Sequence, residues 1–214
     1  MKNGKDDIDL DCFTTYSMNI VIIKYNAGNI FSVDYALRRL GIRAEITDDH
    51  VKIRAADKVI FPGVGEASTT MQYLQLHGLD KIIRNLKQPV LGICIWMQLM
   101  CQHSEEGNTN CLNVFDEEVI RFRHSPGIKV PHMGWNSLQN MHSPLFNGLP
   151  EHPYVYFVHS YYAATGAQTI ATSSYPEPFS AALQYENFYA VQFHPEKSGS
   201  VGEMVLKNFI EKTH

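Results

Sequence analysis

The chain has 214 residues, of which 44% are hydrophobic and 19% charged, a balance that suits one globular domain able to bury a core. Its formal net charge of −4 leaves no basic surplus to neutralise phosphates, which argues against a general nucleic-acid binder but not against a local basic patch. No apolar run reaches about 18 residues, so no membrane span is expected.

The first segment, residues 1–17, carries Asp6, Asp7, Asp9 and Asp11 and lacks the apolar stretch of a signal peptide. It reads as a leader or tag outside the fold, with a single domain from 18 to 214. Met18 opens onto a strand, Asn19–Tyr25. A helix follows over about Ile30–Leu40, with Asn29 as its capping residue and Gly41 just past its end. Further strands are expected at Arg43–Thr47, Lys58–Phe61 and Pro89–Ile93, with one or two helices between Ala67 and Leu86. These strands are short, β-branched and apolar throughout, as parallel strands covered on both faces should be. The second half reads differently, with strands at Val119–Phe122, Tyr154–His159, Thr169–Ser173, Ala181–Tyr185 and Tyr189–Phe193. Glu186-Asn187 is a hairpin turn, and Gly202–Lys212 is a closing helix. The fold expected is α/β: a doubly wound, mostly parallel sheet with helices on both faces and an added antiparallel region. Function belongs at the carboxyl ends of its strands.

The strongest chemical signal is Gly92-Ile93-Cys94-Ile95-Trp96. A strand that turns at Cys94 into a helix is a nucleophile elbow, and the unpaired N–H groups of a helix start favour the thiolate. Cys12, Cys94, Cys101 and Cys111 form no CxxC pair, so zinc and thioredoxin-like readings are weak, and free thiols in a reducing cytosol are expected. Cys101, seven residues after Cys94, reads as a buried filler. His132, His142, His152 and His159 are dispersed, without an HxxxH pair, so no metal site is expected. Trp135, Tyr154, Tyr156, Phe157, Tyr161 and Tyr162 read as core aromatics.

His194-Pro195-Glu196 follows the last apolar strand. In an extended segment, residues two apart share a side, so the imidazole of His194 could face the thiol while Glu196 holds its far nitrogen. Pro62-Gly63-Val64-Gly65 ends another strand. Its backbone N–H groups, with that of Ile95, could stabilise an oxyanion, and an ordinary tight turn is the competing reading.

On these residues the chain resembles the class I, or triad, glutamine amidotransferases. Within them it is similar to the glutaminase subunits of imidazole glycerol phosphate synthases, from Met18 to the C-terminus. Met97-Gln98-Leu99 after the elbow, Asn26-Ala27-Gly28-Asn29, Pro131-His132-Met133-Gly134-Trp135-Asn136, Phe157-Val158-His159-Ser160-Tyr161 and Gln192 to Ser198 carry the match. The resemblance implies a Cys94–His194–Glu196 triad and an oxyanion hole from Gly63, Val64 and Ile95. It implies a glutamine pocket from Gly65, Gln98, Met133, His159, Ser160 and Tyr161. No cofactor is implied. The implied partner is a (β/α)8-barrel cyclase subunit, which takes the ammonia and is met near Asn29, Trp135, Tyr156 and Lys197. Alternatives are the glutaminase of another synthase, or a catalytically degenerate regulatory subunit.

Only Trp96 favours the degenerate reading, because relatives usually carry Gly there. An indole at that place must point elsewhere or push the helix off the sheet. It is expected to face outward, over the pocket mouth or the partner surface, and to leave the Cys94 backbone intact.

Overall fold

The computed structural model describes residues 18–25, 29–123 and 127–213. The leader expected at residues 1–17 lies outside them, as do Asn26, Ala27 and Gly28. The first half runs β1 (Ile20–Ile23), α1 (Ile30–Arg39), β2 (Ala44–Thr47), α2 (His50–Ala55), β3 (Lys58–Phe61), α3 (Ala67–Leu76), α4 (Leu79–Arg84), β4 (Val90–Ile93) and α5 (Ile95–Met100). The second half begins with short strands β5 (His103–Ser104), β6 (Thr109–Asn110), β7 (Glu118–Arg121), β8 (His132–Ser137) and β9 (Tyr154–His159). It ends with β10 (Tyr161–Ala163), β11 (Thr169–Ser174), β12 (Pro178–Tyr185), β13 (Phe188–Val191) and α6 (Gly199–Lys212).

Seven strands form the main sheet in the order β11-β12-β13-β4-β3-β1-β2. The run from β13 to β2 is parallel, and β12 and β11 extend it antiparallel. The expected architecture is the one that forms. Alternate residues of each strand enter opposite cores, as the two-residue period requires. Val21 and Ile23 join the side chains of α2 to α5, and Ile20 and Ile22 join those of α1 and α6. A four-stranded sheet, β10-β7-β5-β6, and the antiparallel pair β8–β9 stand beside the main sheet. The segments expected to carry the site leave the main sheet at the carboxyl ends of β3, β4 and β13.

Three local expectations change. α2 was not legible, because its one buried apolar residue is Ile53. What fixes it is Asp49, whose carboxylate accepts from Val51 N and Lys52 N. β8 was hidden by its glycine and polar residues, and forms because it pairs along its whole length with β9. The stretch from Ala67, expected as one or two helices, forms two, α3 and α4, divided at His77-Gly78. Asn29 makes no side-chain cap to α1. Its amide is used elsewhere.

Candidate active site

At the end of β4 the backbone of Cys94 takes φ 54° and ψ −108°. A non-glycine residue holds that conformation only where its surroundings enforce it. Here Cys94 N donates to Val191 O at 2.8 Å and Met97 N donates to Cys94 O at 3.0 Å, tying the turn to β13 on one side and starting α5 on the other. The elbow expected from sequence is therefore present, with Cys94 as the N-cap residue of α5.

Trp96 does not face outward. Its side chain is fully buried, with its ring 4.3 Å from that of Phe61 on β3 and edge-on to Tyr25 at 5.2 Å. The indole fills space between α5 and the sheet, where burial of a large aromatic surface is favourable. The elbow keeps its geometry because the ring lies under the helix rather than in the pocket. The Tyr25 hydroxyl donates to Pro62 O at 2.7 Å and reaches Val64 O at 3.2 Å, so two carbonyls of the Pro62–Gly65 loop are tied to the same core. The loop also needs its first glycine for room: a Cβ on Gly63 would lie 1.9 Å from Ile93 O.

His194 follows β13. Its N–H donates to Tyr156 O at 2.9 Å, and its Nδ1 bonds Glu196 Oε1 at 2.8 Å with both side chains almost fully buried. An extended strand is not what joins them. Pro195–Lys197 form one turn of 3-10 helix, which brings Glu196 back onto the imidazole. Gly202 lets α6 pack behind this turn, since a Cβ there would lie 1.9 Å from Pro195 O. Asn29 Nδ2 donates to the same Glu196 oxygen at 2.5 Å. This residue, assigned to the partner surface from sequence, is half-buried and bonds the carboxylate that holds His194. Burial alone would lower the His194 pKa. The neighbouring Cys94 and Glu196 outweigh it and raise the value to about 10, while the other ring nitrogen, Nε2, faces the cavity side without a hydrogen-bond partner among the described residues. Burial works the other way on Glu196, but His194 and Asn29 hold its pKa below the usual carboxylate value.

A cavity of about 330 Å³ opens over these groups, lined by Gly63, Val64, Gly65, Cys94, Ile95, Gln98, Glu106, Pro131, Val158, His159, Ser160, Tyr161 and His194. Nearly every residue assigned to the oxyanion hole and glutamine pocket is thus brought together. Met133 is not: its side chain is 61% exposed on β8. Glu106 was missed in the sequence. It reaches the cavity from a 3-10 turn over Glu106–Asn108, its Oε2 accepts from Ala67 N at 2.8 Å, and burial raises its pKa. Nothing in the spacing of Glu105-Glu106-Gly107 marks it, because its place at the cavity depends on the turn being held against the start of α3.

Behind the cavity, His159 Nδ1 lies 2.8 Å from Tyr161 O and its Nε2 lies 3.0 Å from His132 Nδ1. The carbonyl can only accept, so His159 carries its proton on Nδ1 and takes one from His132 on Nε2. Burial lowers the pKa of His159 to about 3 and that of His132 to about 4. Both are neutral. On the outer side of β8–β9, Trp135 is 55% exposed and Tyr154 60%, so these two are surface aromatics and not core. Trp135 pairs across the strands with the half-buried Tyr156, ring to ring at 6.0 Å, and Lys197 is exposed nearby in sequence to the triad turn.

The chain belongs to the class-I glutamine amidotransferase family, whose sequence model matches residues 10–213. Solved structures agree on the fold. A protein titled glutamine amidotransferase superposes with a TM-score of 0.70 at 18% identity, covering 89% of this chain and 97% of that one. A glutamine amidotransferase from Thermotoga maritima gives 0.62 at 18% identity, over 92% and 82%. At those identities the likeness speaks for the fold alone. Sequence relatives are more specific. Imidazole glycerol phosphate synthase subunit HisH of Bacteroides thetaiotaomicron is 58% identical over 197 residues, 91% of this chain and 100% of that protein. The subunit of the same name from Haemophilus influenzae is 48% identical, over 91% and 98%. Among the described residues no helix is long and apolar enough to cross a membrane, and no cluster of three or more His, Cys, Asp or Glu is placed to hold a metal.

Proposed function

We propose that this chain is the glutaminase subunit of an imidazole glycerol phosphate synthase in histidine biosynthesis, acting in the cytoplasm as one domain from 18 to 214. The observation that carries the catalytic reading is the convergence of Cys94, on a strained elbow, with a buried His194–Glu196 pair over one cavity. A degenerate subunit would have no use for that strain.

The Cys94 thiolate attacks the side-chain amide carbon of L-glutamine, and the carbonyl electrons move to oxygen. The oxyanion is held by backbone N–H groups of the Gly63–Val64 loop and of Ile95 at the start of α5. His194 gives its proton to the departing nitrogen, and ammonia leaves with a γ-glutamyl thioester on Cys94. His194, now neutral, takes a proton from water, whose oxygen attacks the thioester and releases glutamate. Glu196, itself held by Asn29, keeps the imidazole oriented through both halves. The pocket from Gly65, Gln98, His159, Ser160 and Tyr161 selects glutamine, and the Glu106 carboxylate complements its ammonium group.

The relatives are named as subunits of a synthase, so a partner subunit is implied. Its identity as a (β/α)8-barrel cyclase is part of the proposal, as is its contact with Trp135, Tyr156 and Lys197 beside Asn29. Ammonia release from glutamine, measured with and without the cyclase subunit, tests the reading. The native chain is expected to be weak alone and strongly activated by the partner, and Cys94→Ala silent in both. Ammonia release by Cys94→Ala, or indifference to the cyclase, would contradict it.

A further inference from the structure

A directed hydrogen-bond relay ends on the nucleophile. It begins at the Tyr161 carbonyl, which can only accept. Gln98 Nε2 donates to it at 2.9 Å, which settles the usual ambiguity of which end of a glutamine amide is nitrogen. The other N–H of the same Nε2 is then directed at Gln192 Oε1, also at 2.9 Å. With its oxygen so committed, Gln192 must turn its own Nε2 toward Cys94 Sγ, and it does so at 3.7 Å. Gln98 is 3% exposed and Gln192 fully buried, so bulk water does not compete for these groups. A buried amide is tolerated where both its ends are used. Here one end is used by Gln98 and the other by a sulfur atom.

We propose that Gln192 is a further residue of the catalytic centre. It presents an amide N–H to Cys94 Sγ that favours the thiolate and aims it into the cavity. Gln98 is the positioning residue that sets the direction of the relay. The competing reading makes Gln192 a space filler, and an apolar side chain of similar length would then serve as well. Gly and Ala cannot test this, because they would open a hole beside the elbow. The inference rests on Cys94 being the nucleophile.

The test is Gln192→Met in the full chain, read by the pH dependence of iodoacetamide labelling of Cys94 with peptide-resolved mass spectrometry. Loss of one hydrogen bond to the charged form should raise the labelling midpoint by about one pH unit, with the thermal midpoint reported alongside as a check on folding. An unchanged labelling midpoint in folded Gln192→Met would overturn the proposal. Should that variant not fold, the native chain provides a second measurement. The side-chain amide proton of Gln192 should shift with pH at the same midpoint as Cys94 labelling, and stay still in Cys94→Ser. A static signal in the native chain would overturn the relay. Failure of the relay is distinct from failure of the nucleophile reading, because only the latter leaves Cys94→Ala releasing ammonia.

Discussion

Two buried histidines line the same cavity with pKa values driven in opposite directions. His194 sits on the sheet wall, between Cys94 and the Glu196 carboxylate, and its pKa rises to about 10. His159 sits on the β8–β9 wall, between a backbone carbonyl and the imidazole of His132, and its pKa falls to about 3. Burial penalises the charged form of both. Only His194 has neighbours that favour its charged form, so the same residue type is pushed toward the imidazolium on one wall and held as a neutral hydrogen-bonding strut on the other. The walls differ in the same way throughout. Cys94, His194 and Glu196 are fixed by the ends of strands in the main sheet. The second wall is a separate two-stranded sheet whose outer face exposes Met133, Trp135 and Tyr154.

If His194 owes its charge to its partners, removing them should erase the contrast. Glu196→Gln is expected to lower glutaminase turnover about 100-fold, with the glutamine KM little changed. Asn29→Ala, which removes one bond to the same carboxylate oxygen, should cost about fivefold. Equal losses from the two would mean that Asn29 acts elsewhere than through Glu196.

Trp96 tests whether the elbow depends on the core beneath it. Trp96→Gly should lower unfolding free energy by about 3–5 kcal/mol in urea titrations, because it leaves a cavity against Phe61 and Tyr25. The folded fraction should still label at Cys94. A stable variant would mean that the indole is not packed as described.

The second wall has its own signature in pH. A histidine whose folded pKa lies below its unfolded value takes up its proton first in the unfolded chain, so protons drive unfolding. The stability from neutral His132 and His159 is therefore complete above about pH 6.5 and is lost as pH falls toward 4 and below, by on the order of 3 kcal/mol for each. Urea midpoints of the native chain should fall across that window, and His159→Gln should flatten the fall. An identical slope in the variant would show that the pair is not what titrates.

The smallest effect belongs to the outer face. Trp135→Ala should leave isolated glutaminase activity within about twofold while weakening cyclase binding by roughly 1–2 kcal/mol, read by calorimetric titration. A path to the triad exists from this face: Tyr156 O accepts from His194 N, and Tyr156 N donates to Ser198 Oγ, which in turn donates to His194 O at 2.7 Å.

What the sequence disclosed follows the same division. Cys94, His194 and Glu196 are legible because each is local: an apolar strand, a turn residue, a helix or proline just after. The parallel order of the strands is legible because their apolar runs have no polar face. Asn29 and Glu106 are not legible in their roles, because each meets the triad or the cavity from another segment and no spacing links them; Gln192 lies two residues before His194, but its bond to Cys94 depends on the sheet pairing of β13 with β4 and cannot be read from that spacing. Trp96 was misplaced for the same reason. The pocket that receives it is made by Tyr25 and Phe61, 71 and 35 positions away along the chain, and only the sheet brings the three together.

The central claim is that Cys94 is the one nucleophile, made so by its elbow and triad. Its most direct test is peptide-resolved mass spectrometry after exposure to a glutamine-analogue electrophile, with the cyclase partner and its substrate present. The account predicts stoichiometric modification of Cys94, with Cys101 and Cys111 unmodified and competition by glutamine. An unmodified Cys94, or labelling shared with the buried thiols and indifferent to glutamine, would contradict it.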